Sequence, residues 1–228
     1  MHYLFFALVI AAIVYGPSLW VKYILNKFAS TRPDLQGTGG ELAEHLIKRF
    51  ELTDVQVEVT TQGDHYNPLT KTVGLSEGNF NGKSLTAVAT AAHEIGHAIQ
   101  DNHGYQPLKM RQSLAVTAFV AEKVGSIGLV VLPLLAIVMR APGLVYASFF
   151  LAMASVAVKL IVHLVTLPVE FDASFNRALP ILKAGEYLQG NDLAAAHVIL
   201  KACAYTYVAG ALANILNLAY WVRVLLRR

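Results

Sequence analysis

Ala91-Ala92-His93-Glu94-Ile95-Gly96-His97 is the stretch from which the rest of the chain is best read. It matches H-E-x-x-H, and Ser84 to Gln100 around it reads as a helix, with Ser84 as N-cap, many Ala and no Pro. About one helical turn separates the two histidines, so both imidazoles project from one face and can hold a single zinc ion. Glu94 then falls beside the open coordination position, where a carboxylate can take a proton from water. The plain alternative is a helix with incidental histidines. It leaves two His and an acid unexplained on a helix whose other residues are mostly small or apolar.

Composition narrows the setting. The 228 residues allow one or two domains. A mean hydropathy of +0.49, with only 14% charged residues, is too apolar for an ordinary soluble domain, so a lipid bilayer is an expected partner. A net charge of +3 with no basic stripe excludes a nucleic-acid reading. The single Cys203 excludes an intramolecular disulfide and a cysteine-rich metal site, and reads as a small core or lipid-facing residue.

Upstream of the motif, Met1 to Val21 carries no Asp, Glu, Lys or Arg and is long enough to span a bilayer. Met1-His2-Tyr3 lacks the positive charge of a signal peptide and Pro17-Ser18-Leu19-Trp20 is a poor cleavage site, so residues 1–25 read as an uncleaved anchor. Trp20 and Tyr23 suit its interfacial end. After the polar connector Ser30–Asp34, Thr38-Gly39-Gly40-Glu41 opens a helix to about Phe50, with Leu42, Leu46 and Ile47 as its apolar stripe. Val55 to Val59 alternates as a half-buried strand, Gly63 to Pro68 is turn chemistry, and Thr72 to Leu75 is a second short strand. Residues 26–111 therefore form a small α+β unit carrying the motif helix. Val73 to Ser76 is the candidate edge strand for an extended substrate, which makes Gly74 and Leu75 substrate-side candidates. His65, in the turn, is another.

Downstream, residues 112–167 read as a transmembrane hairpin. Lys123 and Arg140 bracket 16 uncharged residues, and Arg140 and Lys159 bracket 18. Each run is ~24–27 Å long as a helix, close to the ~30 Å hydrocarbon core. Ala141-Pro142-Gly143 forms the turn. Glu122, Lys123 and Lys159 either lie at the opposite interface or sit deeper as a charge pair. A polar helical region follows over 168–201. Ala202 to Val222 is then a C-terminal span within residues 202–228, with Tyr220 and Trp221 at an interface and Arg223, Arg227 and Arg228 closing it. The expected fold class is a mainly α membrane protein. It has about four transmembrane helices and a small α+β zincin-like unit carrying the motif helix. Lys and Arg near the spans favour the motif side, so the protein is expected in the cell membrane with its site facing the cytoplasm.

A catalytic zinc takes three protein ligands and keeps one position open. His103 has the spacing of H-E-x-x-H-x-x-G-x-x-H, but Gln100 stands where that motif needs its turning Gly. His103 is therefore the runner-up. Glu170, in Pro168-Val169-Glu170 just after the hairpin, is the stronger candidate, its bland alternative being an acid favoured in a helix's first turn.

His65-Tyr66-Asn67-Pro68 through Val73-Gly74-Leu75-Ser76, Gly82 to Leu85, Ala91 to Gln100 and Leu167 to Ser174 together resemble the YugP-like family of neutral zinc metallopeptidases, over nearly the whole chain. The resemblance implies a membrane-bound gluzincin with one Zn2+ per chain, His93, His97 and Glu170 as ligands, and Glu94 as catalytic base. Related membrane zincins place an Asp four residues after the ligand Glu, bonded to a ligand histidine. Here that position is Ser174, and Asp172 lies two residues after Glu170. Both are candidates to support a ligand histidine. Tyr205, Tyr207, His197 and Arg177 are candidates to stabilise an oxyanion, and His163 reads as a satisfied interfacial side chain. Asn81-Gly82-Lys83-Ser84 ends like a phosphate-binding loop, but Glu77 occupies its first Gly position, so ATP binding is rejected.

The expected function is zinc-dependent hydrolysis of peptide bonds in a membrane-proximal or membrane-protein polypeptide. The alternatives are a zinc-stabilised membrane adaptor or chaperone, and a small transporter.

Overall fold

The computed structural model describes residues 2–226, with side chains towards the two chain ends described only in part. In order they form α1 (His2–Lys27), α2 (Gly39–Arg49), β1 (Gln56–Thr60), β2 (His65–Asn67), β3 (Thr72–Ser76), α3 (Glu77–Phe80), α4 (Leu85–Asn102), α5 (Gln106–Val138) and α6 (Gly143–Phe171). A π-helical segment (Asp172–Ala178), α7 (Leu179–Ala184) and α8 (Gly190–Leu226) complete the chain. The protein is mostly helical with one small sheet. Among the described residues, three stretches are long and apolar enough to cross a membrane: Gln106–Val138, Gly143–Ala184 and Gly190–Leu216.

Local chemistry sets the helix starts. Thr38 caps α2 by accepting from Glu41 N (3.1 Å), while the Glu41 carboxylate accepts from Thr38 N (2.8 Å). Such a cap is worth about 1 kcal/mol. Ser84 caps α4 through Ala87 N (3.1 Å), and α4 runs two residues beyond the expected end. Every residue from Leu85 to Gln100 is buried. A helix enclosed on all sides has no solvent face for its polar groups, so each must find a partner inside.

The sheet order is β1-β3-β2, with β1 parallel and β2 antiparallel to β3. This corrects two expectations. His65 to Asn67, read as part of a turn, is strand β2, pairing with Thr72 to Gly74. The stretch Val73 to Ser76 is the central strand, with neighbours on both sides, and Leu75 is fully buried. Gly74 and Leu75 therefore offer no free edge to a substrate. Gly74 instead gives room to a neighbour, since a Cβ there would lie 2.8 Å from His65 Cε1. The sheet is fastened to α4 by Asp101, which accepts from Tyr66 Oη (2.8 Å) and Lys71 Nζ (2.6 Å).

One core joins this unit to the long helices. Leu46, Val73, Leu75, Ile95, Leu182, Ile199 and Leu200 are all essentially inaccessible within it, and each large side chain so buried stabilises by about 1.5–3 kcal/mol. α1 packs along α8, α8 along α6, and α6 along α5. The inner end of α1 enters the core through Val21 and Ile24, and Thr86 of α4 donates to Leu25 O (2.8 Å). Trp20, expected at a lipid interface, instead packs edge-on against Tyr205 of α8 at 6.0 Å, while Tyr23 is exposed. The side chains of Tyr220 and Trp221, and all of Arg227 and Arg228, lie outside the described residues.

The hairpin turn falls at Met139–Pro142 as expected, but its helices extend far past the flanking charges. Lys159 Nζ pairs with Glu122 Oε1 at 2.9 Å, a contact common to both arrangements. The expected divisions after 111, 167 and 201 fall inside α5, α6 and α8. Charged residues mark where a helix leaves apolar surroundings, and the backbone ladder continues through them. Even Pro168 sits within α6. The ladder tolerates it near the helix end and loosens soon after into the π segment, where Leu179 N reaches back five residues to Ser174 O.

Candidate metal centre

His93 and His97 project from one face of α4, their rings 4.7 Å apart and nearly perpendicular. Glu170, at the end of α6, brings Oε2 to 3.2 Å from His93 Nε2 and 3.4 Å from His97 Nε2. All three are buried, and their ligand atoms lie within 4.8 Å of one another. His103 is not part of this group. It caps the far end of α4, exposed, with its Nδ1 3.4 Å from Arg177 Nη1. The failed Gly position explains this, because α4 continues straight through Gln100 and carries His103 away from the site.

The partners of the two outer ring nitrogens fix where those nitrogens carry hydrogen. Ser174 Oγ donates its hydrogen to Leu200 O (3.0 Å), so towards His93 Nδ1, also at 3.0 Å, it acts as acceptor. Gln100 Nε2 donates to Val169 O and Asp172 Oδ2, both at 2.8 Å. Its Oε1, 2.9 Å from His97 Nδ1, can therefore only accept. Both imidazoles therefore carry a hydrogen on Nδ1 and turn Nε2 towards Glu170 Oε2, 3.2 and 3.4 Å away. With Nε2 unprotonated, the three donor atoms would present lone pairs to one buried space, an arrangement that a cation between them satisfies. The donor set of two imidazoles and one carboxylate suits zinc and leaves a fourth position open.

Ser174 thus touches His93 directly. Asp172 acts one step further out, holding the Gln100 amide while it accepts from Arg177 Nε (2.7 Å) and Asn176 Nδ2 (3.1 Å). In the sequence Gln100 stands out only as the residue that breaks the longer motif. Its spacing, three residues after His97 on the same helical face, was the available signal.

Gly96 makes the junction between α4 and the π segment possible. A Cβ at this position would lie 2.8 Å from Ala173 O, so only hydrogen lets the backbone carrying Ser174 close onto the histidines.

A cavity of about 200 Å3 opens over the three residues, lined also by Glu94, Asp64, His65, Arg111, Cys203 and Tyr207. Burial pushes the Glu94 carboxyl up to about 7, against opposition from His93. A group in that range can both accept and return a proton near neutrality. Asp64 is held by Ser76 N (2.7 Å) and Asn79 Nδ2 (2.7 Å), which fixes the loop before His65. His65 donates from Nδ1 to Gly63 O (2.8 Å).

Among the sequence candidates for an oxyanion partner, only Tyr207 lines this cavity. Arg177 is engaged by Asp172, the His197 ring packs on Phe175, and Tyr205 packs on Phe171 and Trp20. His163 lies against Tyr207. Arg111 was missed. It reaches the cavity from α5, with Nη2 donating to Tyr207 Oη at 2.9 Å and Nη1 3.1 Å from Glu170 Oε1. The signal was the hairpin register. Arg111 and Glu170 lie equally far in sequence from the turn's two ends, Val138 and Gly143, as do the paired Glu122 and Lys159. A roomier cavity of about 320 Å3 beside α2, walled by Leu35, Thr38, His45 and Tyr187, contains none of these site residues.

A curated relative, the "Putative membrane protease YugP" of Bacillus subtilis (strain 168), is 34% identical over 229 residues, 98% of this chain and 97% of the relative. No solved structure matches the chain. The family model described as "Putative neutral zinc metallopeptidase" matches residues 3–226. With the family matched over residues 3–226 and a relative matched over nearly its full length, the chain belongs to this neutral zinc metallopeptidase family.

Proposed function

We propose that the chain is a membrane-bound zinc endopeptidase of the gluzincin type. One ion per chain is held by His93 Nε2, His97 Nε2 and Glu170, in a zincin-like α+β unit. The observation that carries this reading is the convergence of two imidazole nitrogens and a carboxylate oxygen beside the buried Glu94. A bound zinc ion supplies Lewis acidity, polarising a peptide carbonyl and making water acidic enough to be deprotonated near neutrality.

The chain's own residues do the rest. Ser174 and Gln100 keep both rings turned so that Nε2 faces the ion. Glu94 takes a proton from water, keeps it in the enclosed cavity and returns it to the leaving amine. β2 is an edge strand of the sheet, and its His65 and Tyr66 wall the cavity. An extended substrate would pair along that edge.

The substrate is a polypeptide, a membrane-protein segment close to the bilayer, because Arg111, Glu170 and Tyr207 reach the cavity from three apolar helices. α1, without Asp, Glu, Lys or Arg up to Val21, is the fourth span, and the lysine and arginine bias near the spans faces the site towards the cytoplasm. An adaptor with a structural zinc site has no use for Glu94 in the cavity, so hydrolysis is the better reading. Purified Glu94→Gln protein should bind zinc like wild type and cleave nothing. Cleavage at the wild-type rate by that variant would remove the mechanism.

A further inference from the structure

Glu170 has two oxygens with different surroundings. Oε2 faces the two histidines. Oε1 is buried and, among the described residues, has no hydrogen-bond partner. Its charged neighbour is Arg111, whose Nη1 stands 3.1 Å away in an ion-pair contact lacking hydrogen-bond alignment. Arg111 is itself held from the other side. Its Nη2 donates to Tyr207 Oη (2.9 Å), and its guanidinium lies 5.2 Å from the Tyr207 ring centroid. Three elements thus meet in line: Tyr207 from α8, Arg111 from α5 and Glu170 from α6.

We propose that Arg111, steadied by Tyr207, is a positioning residue that holds Oε1 of Glu170 away from the metal, so that Glu170 binds through one oxygen and the ion keeps its open position. The inference rests on the metal centre proposed above. The physical reason is that a free carboxylate beside a divalent cation can close onto it with both oxygens. That second bond would occupy space that water or a substrate carbonyl needs. A fixed cation 3.1 Å from Oε1 competes for that oxygen's charge. The planar guanidinium is suited to the task because it stays charged and can bond Tyr207 and face Glu170 at once. Arg111→Lys, a compact single charge, would keep the sign but lose the two-sided hold.

The test uses the full chain in detergent with Co2+ in place of zinc, because the visible absorption of Co2+ is strong with four ligands and weak with more. Wild type should show the strong spectrum. Arg111→Met should still bind one metal per chain, but with the weak spectrum of a more crowded ion and a roughly 10–100-fold fall in kcat. Tyr207→Phe, which removes only a hydroxyl, should shift the spectrum the same way by less, and it carries the test if Arg111→Met does not fold. Arg111→Lys should restore the spectrum only in part. A wild-type spectrum in both Arg111→Met and Tyr207→Phe overturns the proposal, even with reduced activity, which would mean that Arg111 touches substrate. A wild-type chain that takes up no Co2+ or zinc, or a His93→Ala protein that binds either as well as wild type, overturns the metal centre itself.

Discussion

Replacing Gly96 with Ala sets helix propensity against packing. In an exposed helix the change is favourable by about 0.8–1 kcal/mol. Here the new Cβ would lie 2.8 Å from Ala173 O and 3.3 Å from Ala173 Cα. Restoring an ordinary contact of about 3.4 Å requires the π segment to withdraw by roughly 0.6 Å, and overpacking of this kind costs about 1–3 kcal/mol. Packing therefore wins or draws, and the net loss of stability is about 0–2 kcal/mol. The effect on the site is larger, because Ala173 adjoins Ser174. The same withdrawal stretches the Ser174–His93 hydrogen bond from 3.0 Å to about 3.6 Å, beyond useful length. Loss of such a partner lowers metal affinity about 10–100-fold. Thermal unfolding in detergent and chelator competition for zinc measure the two effects separately. A G96A protein that melts higher than wild type and binds zinc equally well would refute the reasoning, since it would mean that the close approach is not tight.

Other substitutions probe the supports one at a time. Ser174→Ala leaves His93 Nδ1 and Leu200 O without their shared partner. Zinc affinity should fall about 10–100-fold while the protein keeps its far-ultraviolet dichroism. Gln100→Leu fills a similar volume but strands His97 Nδ1, Val169 O and one bond of Asp172. Each orphaned buried group costs about 1–3 kcal/mol, so this variant should be the less stable of the two by melting temperature. Metal removal should also be visible in stability. With zinc at 100 times its Kd the ion contributes about 2.7 kcal/mol, or roughly 5–10 °C for a chain of this size. That zinc-dependent gain should vanish in His93→Ala and persist in Glu94→Gln.

What the sequence disclosed divides by range. The motif helix, its Ser84 cap, the α2 capping box and the hairpin turn are short-range patterns, and each stands where local spacing puts it. Glu170 could be singled out because an acid directly after an apolar helix is conspicuous, and it does meet the two histidines. Gln100 was harder, since a glutamine acquires a role only when His97, Val169 and Asp172 surround it. The central place of β3 was hidden for a related reason. A five-residue strand buried on both faces and one lying at a sheet edge can carry the same letters, and pairing order is a long-range fact. The changes of polarity near 167 and 201 fall inside α6 and α8, because a helix can pass from apolar to polar surroundings without ending.

α6 runs unbroken for 29 residues, about 43 Å, from the hairpin tip to Glu170. The same rod that supplies the apolar bulk of the hairpin supplies the last donor to the proposed ion. The molecule therefore cannot be carved into a water-soluble catalytic piece and a dispensable anchor. A fragment ending before α5 would keep His93, Glu94 and His97 yet hold an incomplete set, with Ser174, Arg111 and Glu170 all left behind.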